Sequence, residues 1–228
     1  MFELQYLYHS FFRAKIGGKV LLFDPFFDSH PPEEMMKKNI ECPVCRSKLG
    51  DTDAILVSHE HFDHFDKKAI EEITKQSGCT VIAHDKLLQE LNISPRNKQS
   101  IDLKKKINFK GLDITPLPAH HPSAFYPMGF KVECDGDSMV HTGDTYLTDI
   151  FAKLDATVLC VPIGGAMTMD VVDAVRAVKI MEPDFAIPMH YGTFDSINTN
   201  PLEFKERIEK SILKTKPVIL KPGKKLKI

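Results

Sequence analysis

Ala54-Ile55-Leu56-Val57-Ser58-His59-Glu60-His61-Phe62-Asp63-His64 is the stretch that decides this chain. An apolar run of strand length delivers three histidines and an aspartate within six residues. Neutral imidazole and carboxylate are the donors that borderline metals such as zinc prefer. His59 and His61 are two apart, so at a strand end their rings can point the same way and chelate one ion. Asp63 and His64 fall where the chain turns toward a helix and can reach a second ion. A polar loop of merely solvated histidines would not need the strand before it or the helix after it.

Outward from this stretch, Asp66 is positioned to cap a helix through about Gln76, with Ala69, Ile70 and Ile73 on its apolar face. Upstream, Val20 to Phe23 is a buried strand that starts after Gly17-Gly18 and stops at Asp24-Pro25. Ser29 to Asp51 is polar and irregular, and predicts an insertion over the surface. Downstream, strands are expected at Thr80–Ala83, Ile114–Leu117, Gly129–Cys134, Ser138–His141, Ala156–Val161 and Phe185–Met189, with a short helix after Asp85. Asp135-Gly136 is a hairpin signal. Asp170 to Met181 has apolar residues at helical spacing, and Asn200-Pro201-Leu202-Glu203 starts another helix. No internal linker divides the chain, so one domain over residues 1–228 is expected.

Composition excludes several classes. A formal net charge of -1 does not suit a dedicated nucleic-acid binder. The basic runs at Lys104-Lys105-Lys106 and from Lys221 to Lys227 lack interleaved aromatics for base stacking. No apolar run is long enough to span a bilayer, and the first residues carry an acid where a secretory leader needs positive charge. Five cysteines, an odd number, argue against a disulfide framework. A cytoplasmic protein acting on a small molecule, without membrane or nucleic-acid partner, is the expectation; self-association is left open.

Three further polar sites each follow an apolar strand: Pro118-Ala119-His120-His121-Pro122-Ser123, His141-Thr142-Gly143-Asp144-Thr145 and Ile187-Pro188-Met189-His190-Tyr191-Gly192. Ligands at the ends of several strands are what a metal site on a rigid scaffold requires. This series, from His59-x-His61-x-Asp63-His64 to His190, resembles the metallo-β-lactamase superfamily. More closely, the chain is similar to the UPF0173 metal-dependent hydrolases, relatives of the L-ascorbate-6-phosphate lactonase branch. Tyr8-His9-Ser10-Phe11-Phe12, Leu22-Phe23-Asp24-Pro25-Phe26, Val161-Pro162-Ile163-Gly164-Gly165 and Leu220-Lys221-Pro222-Gly223 carry the closer likeness.

The resemblance implies an α/β fold, an αββα sandwich of two mixed β-sheets with helices on the outer faces. It implies His59, His61 and His121 on one metal, Asp63, His64 and His190 on the other, and Asp144 between them. His120 and His121 are alternatives one position apart, with His121 favoured by the family spacing. Two divalent ions are implied, zinc first, with manganese, iron or nickel as alternatives. The activity implied is hydrolysis of an ester, lactone, amide or phosphodiester by a metal-bridging hydroxide, with Asp63 orienting it and accepting its proton. His141 is a candidate proton donor to the leaving group. His9, Asp24, His120 and Tyr191 are expected around the ligands, and Asp24, Ser58 and Thr145 are candidate partners for the second imidazole nitrogens.

Alternatives are a nuclease of the same superfamily, a di-iron oxidoreductase and a non-catalytic metal-binding protein. The di-iron reading is disfavoured by an imidazole at His61 and by the lack of room for a flavin module. Cys42-Pro43-Val44-Cys45 is half of a structural zinc site, or a reduced surface loop.

Overall fold

A computed structural model describes residues 2–27 and 38–228. The first part of the predicted insertion at 29–51 therefore lies outside the described residues. Fourteen strands are defined: β1 (Glu3–Tyr8), β2 (Phe11–Ile16), β3 (Lys19–Phe23), β4 (Ala54–Leu56), β5 (Thr80–Ala83), β6 (Lys98–Ser100), β7 (Ile107–Phe109), β8 (Leu112–Pro118), β9 (Met128–Cys134), β10 (Asp137–His141), β11 (Val158–Pro162), β12 (Phe185–Met189), β13 (Lys216–Pro217) and β14 (Lys225–Lys227). The α-helices are α1 (Lys67–Ser77), α2 (Asp85–Glu90), α3 (Val171–Met181) and α4 (Pro201–Glu209).

The strands form two seven-stranded sheets, ordered β14-β1-β2-β3-β4-β5-β6 and β13-β12-β11-β10-β9-β8-β7. Each is half antiparallel and half parallel. In the first, β1 to β3 form a meander and β3 to β6 run parallel. In the second, β7 to β10 are antiparallel and β10 to β13 parallel. The parallel neighbours need crossovers, and α1 and α3 supply two of them. Asp135 and Gly136, both at positive φ, make the predicted β9–β10 turn.

Period-2 alternation explains the layering. Leu21 and Phe23 of β3 join Phe12, Phe130, Cys160 and Ile187 in a core between the sheets. Leu22, Ile55 and Val57 face the other way and pack with Ile70 and Ile73 of α1. Leu159 and Val161 of β11 likewise pack against α3 and Phe204 of α4. Three cores thus separate four layers, αββα. Each fully buried Leu, Ile or Phe contributes roughly 1.5–3 kcal/mol. Asp66 caps α1 by accepting from the Ala69 amide, worth about 1 kcal/mol. Its other oxygen accepts from the Phe27 amide, so one buried carboxylate ties the helix to the chain leaving β3. No described helix is long and apolar enough to cross a membrane.

Candidate metal centre

Four strands of the two sheets end at one place. Ligands in α/β sheets gather beyond the carboxyl ends of parallel strands, and β4, β10 and β12 end here with the antiparallel β8. After β4, the His64 and Phe65 amides bond back to the His61 carbonyl. That single turn brings Asp63 and His64 round toward His59. Asp144 follows β10 through Gly143, at φ +60°, where a Cβ would lie 2.8 Å from the Met128 carbonyl. The close approach demands glycine there. His190 ends β12, and its amide bonds to the His9 carbonyl in the β1–β2 turn. The chain is bent sharply at these points: His9, Asp24, Ala166, Met167 and His190 all have positive φ. Such backbone costs about 1–3 kcal/mol per residue and collects at functional sites.

His59, His61, His121 and Asp144 form one group able to hold an ion. Their outward hydrogen bonds determine which nitrogens face inward. Ser58 Oγ donates to Asp24 Oδ2 at 2.6 Å, so it accepts from His59 Nδ1 at 2.9 Å. His121 Nδ1 donates to the Met167 carbonyl at 3.0 Å. His61 Nε2 faces the Ser123 carbonyl at 3.4 Å. The inner nitrogens then converge: His59 Nε2 and His121 Nε2 lie 3.0 and 3.1 Å from His61 Nδ1. Ser123 Oγ gives His121 Nε2 a hydrogen bond at 3.2 Å. Burial, with His64 nearby, holds His59 well below the usual imidazole range, and burial lowers His121 too. Nitrogens that converge in this way offer ligands to a cation, and a three-nitrogen face suits zinc.

The second group is His9, Asp63, His64 and His190. Asp24 Oδ2 accepts from His64 Nδ1 at 2.7 Å, which turns His64 Nε2 inward. There it lies 3.3 Å from Asp144 Oδ1, and both atoms are buried without a hydrogen-bond partner. His190 Nε2 is 3.0 Å from Asp144 Oδ2 and 3.8 Å from Asp63 Oδ2. His9 donates from Nε2 to Asp63 Oδ2 at 3.0 Å, and the Thr193 hydroxyl lies 3.1 Å from its Nδ1. Burial opposes charge on His64, yet Asp144, Asp63 and Asp24 outweigh it and raise its pKa. Burial opposes charge on His190 as well, and Asp144 and Asp63 again prevail. Burial favours the neutral acids, but His64 and His9 hold Asp63 ionised, and His190 and His64 hold Asp144 so. Burial and His190 push His9 down to about 4. Protons on His64 and His190 thus stand where a cation satisfies the same carboxylates. Both donor sets fit divalent metal ions.

Several residues fall elsewhere than the sequence suggests. His141 is fully buried outside the cavity lining: its Nε2 bonds to the Ser10 carbonyl and its Nδ1 accepts from the Gly143 amide. Stacked on Phe23, it braces the two sheets. His120 is exposed beside Tyr146, while the adjacent His121 enters the cluster. Tyr191 turns away to stack on Tyr6. Thr145 Oγ1 accepts from the His120 amide and touches no ligand ring. Tyr126 accepts from the Leu103 amide. Gly164 and Gly165 make a turn, closed by the Gly165 carbonyl accepting from Thr168. Cys42 is half-buried and Cys45 exposed; both are free, and neither belongs to a metal-holding group among the described residues.

A cavity of about 370 Å³ opens over the two groups. His61, Asp63, His121, Asp144 and His190 reach its floor, and Phe62, Met167, Phe194 and Ile197 wall it. Sequence reasoning missed Met167, Ser123, Thr193 and these walls. The Met167 carbonyl and its left-handed backbone leave no trace in residue type; the walls read simply as core.

Fold and site together define a metallo-hydrolase of the β-lactamase superfamily, and residues 3–190 match that superfamily's domain. The UPF0173 metal-dependent hydrolase of Methanopyrus kandleri is 32% identical, over 97% of this chain and 97% of its own. That of Pyrococcus horikoshii is also 32% identical, over 100% of both chains. Igni18, a metallo hydrolase from the hyperthermophilic archaeon Ignicoccus hospitalis, superposes with a TM-score of 0.85 at 26% identity, covering 99% of this chain and 97% of its own. The chain belongs to the UPF0173 metal-dependent hydrolases.

Proposed function

We propose that this chain is a cytoplasmic, single-domain hydrolase with a dinuclear metal centre, acting on a small-molecule ester, lactone, amide or phosphodiester. The observation that carries this reading is the position of Asp144. Its Oδ2 is 4.0 Å from His59 Nε2 and 3.8 Å from His121 Nε2, while its Oδ1 is 3.3 Å from His64 Nε2. One carboxylate therefore serves both donor groups. His59, His61 and His121 would hold one ion, and Asp63, His64 and His190 the other. Zinc suits the nitrogen-rich set best, with manganese, iron or nickel as alternatives.

Bound divalent ions supply an acidified water and Lewis-acid stabilisation of the attacked oxygen. The chain supplies the rest. Asp63 lines the cavity floor and would take the proton of the attacking water at its carboxylate. His9 Nε2–H, bonded to Asp63 Oδ2, keeps that carboxylate in one orientation. Asp24 and the Met167 carbonyl each hold a ligand ring in the tautomer that faces inward. Phe62 and Phe194 keep bulk water from the cavity wall.

Elemental analysis of protein purified without added metal, followed by turnover of an ester, lactone, amide and phosphodiester panel, tests the proposal. About two ions per chain are expected, with activity lost to chelator and restored by Zn²⁺ or Mn²⁺. A saturated metal centre that turns over nothing in the panel would count against hydrolysis of these classes, and one ion per chain against the dinuclear centre.

A further inference from the structure

Resting on the hydrolase reading, we propose that the cavity selects an uncharged substrate with a compact apolar body, and turns away substrates bearing a phosphate or carboxylate beyond the scissile group. Among the described residues, the cavity's ionisable groups all belong to the metal centre at its floor. Above the floor the lining is Phe62, Met167, Phe194 and Ile197, with Ala166 and the hydroxyls of Ser123 and Ser196. Among the described residues, no lysine or arginine lines it.

An anionic substituent on those walls would lose its water without gaining a partner, which is costly. Sites that accept phosphate or carboxylate are built with Arg, Lys or converging amides. Among the described residues, the nearby lysines are committed elsewhere. Lys38 lies over the Phe26 ring, bonds to the Phe27 carbonyl and pairs with Glu41. Phe26 itself packs behind Phe62 and Phe194, so that charge sits one ring back from the wall. Lys86 lies over Phe125. The ions would attract the scissile carbonyl and the oxygen that develops charge; the walls decide what can be attached to it. A volume of about 370 Å³ is near the lower end for small-molecule pockets and limits the body to a few carbons beyond the reacting group.

Met167 is the specificity-determining wall residue. Its side chain is 47% exposed at the mouth, and its thioether sulfur accepts from the Tyr146 hydroxyl at 3.7 Å. Its carbonyl, not its side chain, holds His121. The side chain can therefore be exchanged while the backbone bond to the ligand ring is kept.

Three hydroxamates with the same chelating head test the proposal: one with a pentyl tail, one ending in a carboxylate and one ending in a phosphonate. Their affinities for zinc-loaded protein are measured by calorimetry. The pentyl compound is expected to bind at least about tenfold tighter than either anion, with about fourfold gained per buried methylene in shorter homologues. Met167→Lys is expected to narrow or invert the preference at unchanged zinc content. Ser196→Lys, at an exposed rim position, repeats the test should the first variant fold poorly. Equal or tighter binding of the anionic tails to the wild type overturns the inference and leaves the hydrolase reading standing. A protein that takes up no zinc and binds none of the three overturns the reading itself, and the inference with it.

Discussion

His59, His61 and His121 meet through their inner nitrogens, and burial favours the uncharged form of His59 and His121. A few ångströms away, Asp63 and Asp144 are ionised and their charge is met by His64 and His190, both raised in pKa. Imidazoles held toward the neutral form face one side of Asp144, and imidazoles held toward the charged form face the other. The difference comes chiefly from the carboxylates the rings face: Asp144 and Asp63 raise His64 and His190, and Asp24 adds to the effect at His64. A hydroxyl and backbone carbonyls stand behind the first group, and the Asp24 carboxylate behind His64. The two groups are therefore expected to differ in how they take up metal, although Asp144 joins them.

Asp144→Ala strikes both groups and carries the largest expected effect. Metal content should fall from about two ions per chain to well under one, and kcat/KM should drop by more than about 100-fold, since even outer partners of ligands cost 10–100-fold. Elemental analysis and steady-state kinetics check this. Loss of a single ion with the other intact would break the shared-carboxylate picture.

Asp24→Asn should separate the groups. Asn tolerates the left-handed backbone at this position, φ +47°, so the fold is spared. The His64 ring loses its charged partner, and affinity at the second group should weaken by about 10–100-fold. The first group feels Asp24 only through Ser58 and should change less. Competition against a chromophoric chelator resolves the two affinities.

The pH dependence sharpens the contrast. Metal must displace protons from His64 and His190, so affinity at the second group should rise with pH through their raised range. Near neutral pH the first group should respond less, because His59 and His121 are already neutral there. Without metal, the sign for stability is set by linkage. The raised imidazoles contribute stability present below their unfolded pKa and lost as pH rises through the folded one. The lowered carboxylates contribute stability present above their unfolded pKa and lost as pH falls through the folded one. Metal-free protein should thus melt at lower temperature on the alkaline side, and added metal should reverse that slope. Calorimetric scans with and without zinc, and proton release on metal addition, measure both.

His141→Gln should matter least to chemistry. Its two backbone bonds and its stacking on Phe23 make it a brace, so loss of about 1–3 kcal/mol of stability is expected. Metal content and kcat should stay near wild type. A drop in kcat at full metal content would return His141 to the reaction.

Much of this molecule was legible along the chain. Continuous apolar runs placed β5 and β12 at Thr80–Ala83 and Phe185–Met189, the bounds the structure has. Capping chemistry placed the starts of α1 and α4, because Asp66 and Asn200 each accept from amides in the first turn, and helical apolar spacing placed α3. The short edge strands β6, β7, β13 and β14 were not legible. Lys225–Lys227 has no apolar alternation and becomes a strand only because β1, over 200 residues earlier, offers an unpaired edge.

The sequence by itself determined the donor chemistry, since imidazole and carboxylate at strand ends are local facts of residue type and period. It also determined the layered fold, because continuous apolar strand runs must bury two faces and amphipathic helical runs only one. Only the tertiary structure decided between His120 and His121, drew His9 to Asp63 and withdrew His141 to the interior. Only there does each ring acquire its inward nitrogen, because Asp24, Ser58 and the Met167 carbonyl arrive from other strands and loops. The physical reason is direction. A residue's type states what it can bind, but the backbone dihedrals and distant partners that aim its lone pair exist only once the sheets have closed on each other.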